Sequence, residues 1–355
     1  MILHIFNDQK KFSKGYFQML SDHDVQLSTM KLVHYGKKDG YFKTLGLDTV
    51  FIRNFYNPFT NVKLIRELFR AQKVIVHSLA SPYLLLMIIL FPSIASKIYW
   101  VIWGKDLYFF HSLNHIRFYH RMYEWLRKKA IRKITKICSI FKEDYELACQ
   151  WYGVHAENIE MVSLYPYALC KSVEVKDSPE RVNSNNLIIL LGNSASETNN
   201  HEDVLRILAE HRDNIGQIIC PLSYGGNNRY VKKIVNIGKQ LFGDKFHPLL
   251  EFIPRERYFE LINHIDVGIY NYDRQEGLGN IWSLILSKKT VYMKKETSTT
   301  KFFERNGIVV KDIQECRYKN ITLLPEILLE NNKEQLSPLV SEEFSINKWK
   351  QIFEQ

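Results

Sequence analysis

The chain has 355 residues, of which 46% are hydrophobic and 24% charged, a balance that excludes collagen-like and intrinsically disordered proteins. Its formal net charge of +10 suits an anionic partner: nucleic acid, a phosphate-bearing ligand or an acidic membrane face. Five cysteines with no C-x-x-C pair argue against a disulfide framework or a zinc site and point to a reducing compartment.

The N-terminal strand runs straight into Asp8 and Lys10 with no secretory h-region, so a cytoplasmic location is expected. Apolar or β-branched runs predict strands over 2–6, 31–35, 49–52, 74–77, 98–103 and 134–140. Helical spacing fills the gaps at 62–71, 82–91 and 116–131. The longest apolar run, 84–91, is closed by Pro92 and falls short of the roughly 20 residues that span a bilayer.

A polar stretch with Asp177, Ser178, Pro179 and the run Asn183 to Asn186 marks a linker, bounded at 166–186. A second series follows, with strands over 187–191, 217–220, 266–270 and 290–293 and helices over 202–211, 228–241, 255–264 and 281–286. The alternation predicts α/β architecture with two doubly wound, Rossmann-like domains facing a central cleft. The expected boundaries are 1–165 for the first domain and 187–340 for the second, with a C-terminal helix over 341–355 packing back on the first.

Ligands of open α/β sheets sit beyond the carboxyl ends of the strands, where loop amides and helix N-termini hold anions. Three loops of the second domain have that placement. The first carries Gly192, Asn193 and Ser194, then Asn199, Asn200 and His201. The second, after 217–220, carries Tyr224, Gly225, Gly226 and Asn228. The third carries Tyr272, Arg274, Gln275, Glu276, Gly277, Gly279 and Asn280 ahead of an apolar helix. Glycines allow close backbone approach to a diphosphate, and Arg274 adds a charge-assisted contact. Capped βα turns would use the same residue types. Three such loops on successive strands favour a nucleotide site.

Taken together, WVIWGKDLY at 100–108, Leu191 to Asn193 with Asn200-His201-Glu202, PLSYGGNN at 221–228 and RQEGLG at 274–279 resemble the Fuc4NAc transferases of glycosyltransferase family 56. The resemblance runs from the first strand to about residue 293, and outside these motifs the first domain and the last fifty or so residues match mainly in pattern. It implies a GT-B fold, with donor nucleotide on the second domain and acceptor facing the first. It further implies a dTDP-linked 4-acetamido-4,6-dideoxygalactose donor and an undecaprenyl-diphosphate-linked saccharide acceptor, as in enterobacterial common antigen assembly. The segment from Glu276 is also similar to the E-G-x-G segment of retaining GT-B enzymes. Their second Glu, eight positions on, is Leu284 here, so Glu276 stands as a ribose or phosphate neighbour only, and inversion against retention stays open.

An inverting transfer needs a base within reach of the acceptor hydroxyl. Asp106 in the WGKDLY loop is the first choice, with His77 and Asp8 at other strand ends behind it; Asp106 as a helix cap and His77 as a structural histidine are the alternatives. Asp22-His23-Asp24 is a D-x-D, yet it follows the first predicted helix and reads as solvated surface. No metal or other cofactor is expected, the leaving diphosphate being met by helix ends and Arg274.

Arg117, Arg121, Arg127, Lys128, Lys129, Arg132 and Lys133 crowd one segment that holds a single acid, Glu124. Phe118, Met122, Trp125 and Leu126 interleave at helical spacing. A basic amphipathic helix with Trp at its flank fits an anionic bilayer, predicting a peripheral protein on the cytoplasmic face of the bacterial inner membrane. The alternative is a surface helix whose apolar stripe packs on the sheet. A nucleic-acid-binding protein is the competing class, but no RRM, KH, zinc-finger or basic-zipper signature accompanies the charge. A nucleotide-sugar-binding protein without transfer activity, and a transferase using UDP- or GDP-sugars, complete the set.

Overall fold

The structure, a computed structural model, describes residues 1–7, 10–53, 56–109, 118–166 and 186–355, the side chains of 10, 11, 255 and 256 excepted. The expected base Asp8, the membrane candidate Arg117 and all but the ends of the expected linker lie outside these. The chain divides into two units, Met1–Leu169 with Leu339–Gln355, and Cys170–Pro338.

The first unit is built on a parallel sheet of β1 (Ile2–Phe6), β2 (Met30–Tyr35), β3 (Asp48–Ile52), β4 (Lys73–His77), β5 (Ile98–Val101), β6 (Lys136–Ser139) and β7 (Glu157–Glu160), in the order β3-β2-β1-β4-β5-β6-β7. Successive side chains of a strand point to opposite faces. In β1, Leu3 and Ile5 enter one core with Val74, Val76 and Trp100, while Phe6 enters another with Ile75, Tyr99 and Val101.

The first core is covered by α2 (Pro58–Arg70), α3 (Pro82–Leu90), α4 (Phe118–Ile131) and α5 (Lys142–Tyr152). Asn57 and Ser81, each ahead of a proline at the first helical position, cap α2 and α3 by accepting from backbone N–H groups. The other core is closed by α1 (Lys10–Asp22) and by α12 (Glu342–Glu354), whose Ile346, Trp349 and Ile352 are buried in it. Trp349 Nε1 donates to the Leu164 carbonyl at 3.1 Å, and His23 Nε2 lies 2.6 Å from Glu342 Oε1.

The second unit repeats the plan. A parallel sheet runs β10-β9-β8-β11-β12-β13, from β8 (Leu187–Leu191), β9 (Ile215–Pro221), β10 (Phe246–Leu249), β11 (Val267–Tyr270), β12 (Thr290–Met293) and β13 (Lys311–Asp312). Its helices are α6 (His201–Ala209), α7 (Asn228–Phe242), α8 (Arg255–Asn263), α9 (Leu278–Leu286), α10 (Ser298–Arg305) and α11 (Glu326–Leu339). The run LIILL of β8, flanked by β9 and β11, is the central strand its continuous hydrophobicity predicts.

Candidate functional site

In the second sheet the winding direction reverses between β8 and β11, which opens a crevice beyond their carboxyl ends. The residues leaving those two strands are tied together. Glu276 Oε2 accepts from Thr198 Oγ1 at 2.7 Å and from Arg274 Nε at 3.0 Å, and Oε1 accepts from Ser194 Oγ at 3.4 Å. Tyr272 Oη donates to Asn193 Oδ1 at 2.8 Å. Asn200 Nδ2 donates to the Asn271 carbonyl and to Asp273 Oδ2, both at 2.9 Å.

The loop after β9 joins them: the Ala195 amide donates to the Tyr224 carbonyl at 2.7 Å. The approach is so close that a Cβ on Gly226 would lie 2.0 Å from the Ala195 carbonyl oxygen. The three loops expected to hold a nucleotide are thus one hydrogen-bonded surface.

Gly277 sits ahead of α9 with φ +68°, where a Cβ would meet Tyr272 Oη at 2.4 Å. The amides of Leu278 and Gly279 head this helix without intrahelical acceptors, beside Arg274, which is the usual arrangement for receiving an anion. Asn280 Nδ2 donates to Tyr258 Oη at 2.8 Å. Burial first, then Tyr270 and Glu276, pushes the Tyr272 phenol well above its ordinary pKa, so it remains a donor to Asn193.

His201 and Asn228 take different places. His201 is buried under the first loop, its Nδ1 3.0 Å from Tyr230 Oη, and burial lowers its pKa to about 4. It is a neutral wedge beneath Gly192, whose Cβ would come within 2.7 Å of His201 Nε2. Asn228 is exposed at the start of α7, and its neighbour Asn227 performs the capping, accepting from the Tyr230 amide at 2.9 Å. Thr198 and Tyr258 were not anticipated; the hydroxyl-rich run Ser194 to Thr198 was the available signal for the first, and Tyr258 had none.

In the first unit two of the expected bases, Asp106 and His77, are buried and already hydrogen-bonded. Asp106 is 6% exposed and saturated: Oδ2 accepts from the Leu79 amide at 2.9 Å and Trp100 Nε1 at 2.8 Å, and Oδ1 accepts from the Trp103 amide at 2.8 Å. Burial raises its pKa, while Arg127 and these donors work against the rise. The carboxylate clasps the β4 and β5 loops together instead of facing a substrate.

His77 is fully buried, stacked on Phe6 at 3.6 Å between centroids, with Nδ1 2.6 Å from Tyr165 Oη and Nε2 3.3 Å from His4 Nδ1. Burial, then His4, holds its pKa well below the ordinary value. Both ring nitrogens are thus taken up by Tyr165 and His4. In the D-x-D, Asp22 accepts from Gln18 at 2.7 Å and His23 pairs with Glu342.

Helix α4 departs from expectation in its phase. Its buried side carries Glu124, Arg127, Ala130 and Ile131. Arg127 Nε donates to Glu124 Oε2 at 2.9 Å, Nη2 to the Asp106 carbonyl at 2.6 Å and Nη1 to the Leu79 carbonyl. Arg127 therefore belongs to the core and not to a membrane face, and Lys128 is half-buried. Phe118, Met122 and Trp125, expected to pack on the sheet in the alternative reading, are exposed, with Arg121, Lys129, Arg132 and Lys133 around them.

The model of the family described as 4-alpha-L-fucosyltransferase glycosyl transferase group 56 matches residues 60–352. The chain belongs to this family. As a group 56 glycosyltransferase it shares the GT-B fold with solved enzymes of low identity. A glycosyltransferase from Rickettsia africae ESF-5 superimposes with a TM-score of 0.65 at 14% identity, over 99% of this chain and 97% of that one. The Anabaena protein HepE, solved with UDP and glucose, gives 0.69 at 12% identity over 100% and 99%. WaaG, a glycosyltransferase of lipopolysaccharide biosynthesis, gives 0.56 at 10% identity over 98% and 94%.

Proposed function

We propose that this glycosyltransferase moves a deoxyamino sugar such as Fuc4NAc from a dTDP-linked donor to a saccharide carried on undecaprenyl diphosphate. The location would be the cytoplasmic face of the bacterial inner membrane, in surface-polysaccharide assembly of the enterobacterial common antigen type. The observation that carries the donor half is the joining of the Ser194, Tyr224 and Glu276 loops at the β8/β11 crossover. A diphosphate there meets the α9 amides and Arg274, which stabilise the charge that develops as the sugar–phosphate bond breaks. The new glycosidic bond forms to the acceptor hydroxyl, whose proton passes to a base.

With Asp106 and His77 buried, Asp8 is the base we propose, since in sequence it comes two residues after β1, one of the two strands at which the first sheet changes direction. The nucleotide of the HepE complex favours a second reading, a UDP-sugar donor on the same loops. The test is transfer from dTDP-Fuc4NAc and from UDP-sugars to a lipid-linked disaccharide, followed by mass spectrometry of the product. Product from the dTDP donor that an Asp8→Asn variant reduces by about 100-fold or more supports the proposal; turnover with UDP-sugars alone would replace the donor.

A further inference from the structure

The face on which α2, α3 and α4 lie side by side is unusual for the outer layer of an α/β unit. Tyr83 Oη of α3 donates to the Tyr56 carbonyl at 2.9 Å, and Phe69 of α2 meets Phe91 edge-on at 5.1 Å. On the other side, Tyr123 of α4 donates to the Ala80 carbonyl, and Lys133 Nζ to the Ile89 carbonyl at 2.7 Å. The three helices form one layer.

Each turns apolar side chains outward. Helix α3 carries no charged residue at all, and with Leu84, Leu85 and Ile88 buried it leaves Leu86 and, at 61% exposure, Leu90 in solvent. A helix that is apolar all round belongs in a core or against lipid. Helix α2 exposes Phe59 at 85% and Val62 at 59%. Helix α4 exposes Met122 and Trp125, with Lys129 Nζ 3.9 Å over the Trp125 ring.

The charge is one-sided. Among the described residues of the three helices the acids are Glu67 and Glu124, both buried. The exposed charges on them, Lys63, Arg66, Arg70, Arg121 and Lys129, are all basic. Helix α4 sends its ion pair inward and its aromatic stripe outward, the reverse of a helix built to be covered by water.

We propose that α2, α3 and α4 together form a platform that seats the protein on an anionic bilayer, with Phe59, Leu90, Met122 and Trp125 entering the headgroup boundary and the basic side chains on anionic headgroups. The platform extends well beyond the single basic helix legible in the sequence. For its purpose it rests on the reading of a lipid-linked acceptor; for its existence it does not. Apolar area and positive charge on one surface are what binding to such a bilayer requires, and positive charge on both helices flanking the uncharged α3 disfavours a second copy of the same face.

The experiment is sedimentation of the full-length protein with vesicles of equal parts phosphatidylcholine and phosphatidylglycerol, and with pure phosphatidylcholine, containing neither donor nor acceptor. The expected result is salt-sensitive partition to the anionic vesicles. A Leu86→Asp, Leu90→Asp variant should weaken it by about tenfold or more, and a Lys63→Glu, Arg66→Glu variant should do the same at low salt. Thermal melts and dTDP affinity should be unchanged in both, which separates failure of the platform from failure of the donor site. Wild-type protein that ignores anionic vesicles overturns the proposal. So does an unchanged partition of the α3 and α2 variants when Met122→Ser, Trp125→Ser abolishes binding, since α4 alone would then suffice. A dimer in vesicle-free solution that Leu90→Asp dissociates would give the face to a second copy and equally overturn it.

Discussion

Thr198 Oγ1 donates to Glu276 Oε2 at 2.7 Å, and through that bond the loop leaving β8 is fastened to the loop leaving β11. The same carboxylate takes Arg274 and Ser194, so one side chain sets the distance between the two walls of the candidate donor site.

Replacing Glu276 by Ala removes three acceptor contacts at once and frees Arg274. Hydrogen bonds to charged groups are worth about 1.5–3 kcal/mol each when one partner is removed. Nucleoside-diphosphate affinity should fall by about tenfold or more in calorimetric titration, and the melt should drop as well, because both side chains are largely shielded from water. Undiminished affinity would show that the two loops are positioned without it.

Asp106→Asn is expected to act on folding and not on chemistry. An amide in place of the carboxylate turns one of its acceptor oxygens into a donor facing the N–H groups of Leu79, Trp100 or Trp103. It also removes the negative charge near buried Arg127. The loss should be about 3 kcal/mol, read as a lower denaturant midpoint, while turnover per folded molecule stays within about tenfold of wild type. A fully stable variant with turnover reduced a thousandfold or so would restore Asp106 as the base.

The buried histidines make stability fall in acid. Burial lowers His4 to about 3 and His201 to about 4, and holds His77 well below the ordinary 6.5. The unfolded chain therefore binds protons that the folded chain refuses as pH drops below 6.5. Their contribution is intact above that value and is lost progressively toward the folded-state values, at up to ~1.4 kcal/mol per pH unit for each histidine. Denaturant midpoints taken from about pH 7 to about pH 5 should decline, and more shallowly in a His4→Phe variant. Equal slopes would mean that His4 is not protonated on unfolding.

Helix α12 completes the first unit across a gap of more than 170 residues in sequence, with Trp349 fully buried and its ring 4.9 Å from that of Tyr16. Trp349→Ala should destabilise that unit by about 3–5 kcal/mol. Nucleotide affinity, which the proposed donor site places on the second unit, should persist at temperatures where the first unit still folds. An unshifted melt would show that α12 is dispensable.

Much of this was legible because the signals were local. The expected strands over 2–6, 187–191 and 290–293 coincide with β1, β8 and β12, each a short β-branched or leucine-rich run bounded by polar residues. The strands not expected are the ones whose residues say little: β7 is ENIE at a sheet edge, β10 is FHPL with a proline, and β13 has two residues. An edge strand need not be apolar, so periodicity does not announce it.

The candidate donor loops stood out because Gly277 and Gly226 are glycine for steric reasons that leave a mark in sequence. The burial of Asp106 left none. A carboxylate three residues after Trp103 reads alike whether it caps a turn or faces a substrate; Arg127, which donates to the Asp106 carbonyl, arrives from 21 residues away. For the same reason α4 reads as an ordinary basic helix until the Glu124–Arg127 pair fixes which side faces inward.

The Ser194, Tyr224 and Glu276 loops are proposed as the nucleoside-diphosphate site of this glycosyltransferase. The most direct measurement is calorimetric titration of the full chain with dTDP, UDP and GDP, beside a Gly226→Ala variant whose new methyl must push the second loop off Ala195. The expected result is saturable binding, strongest for dTDP, that the variant loses. Absence of binding by all three nucleotides, or binding that Gly226→Ala leaves intact, would contradict it.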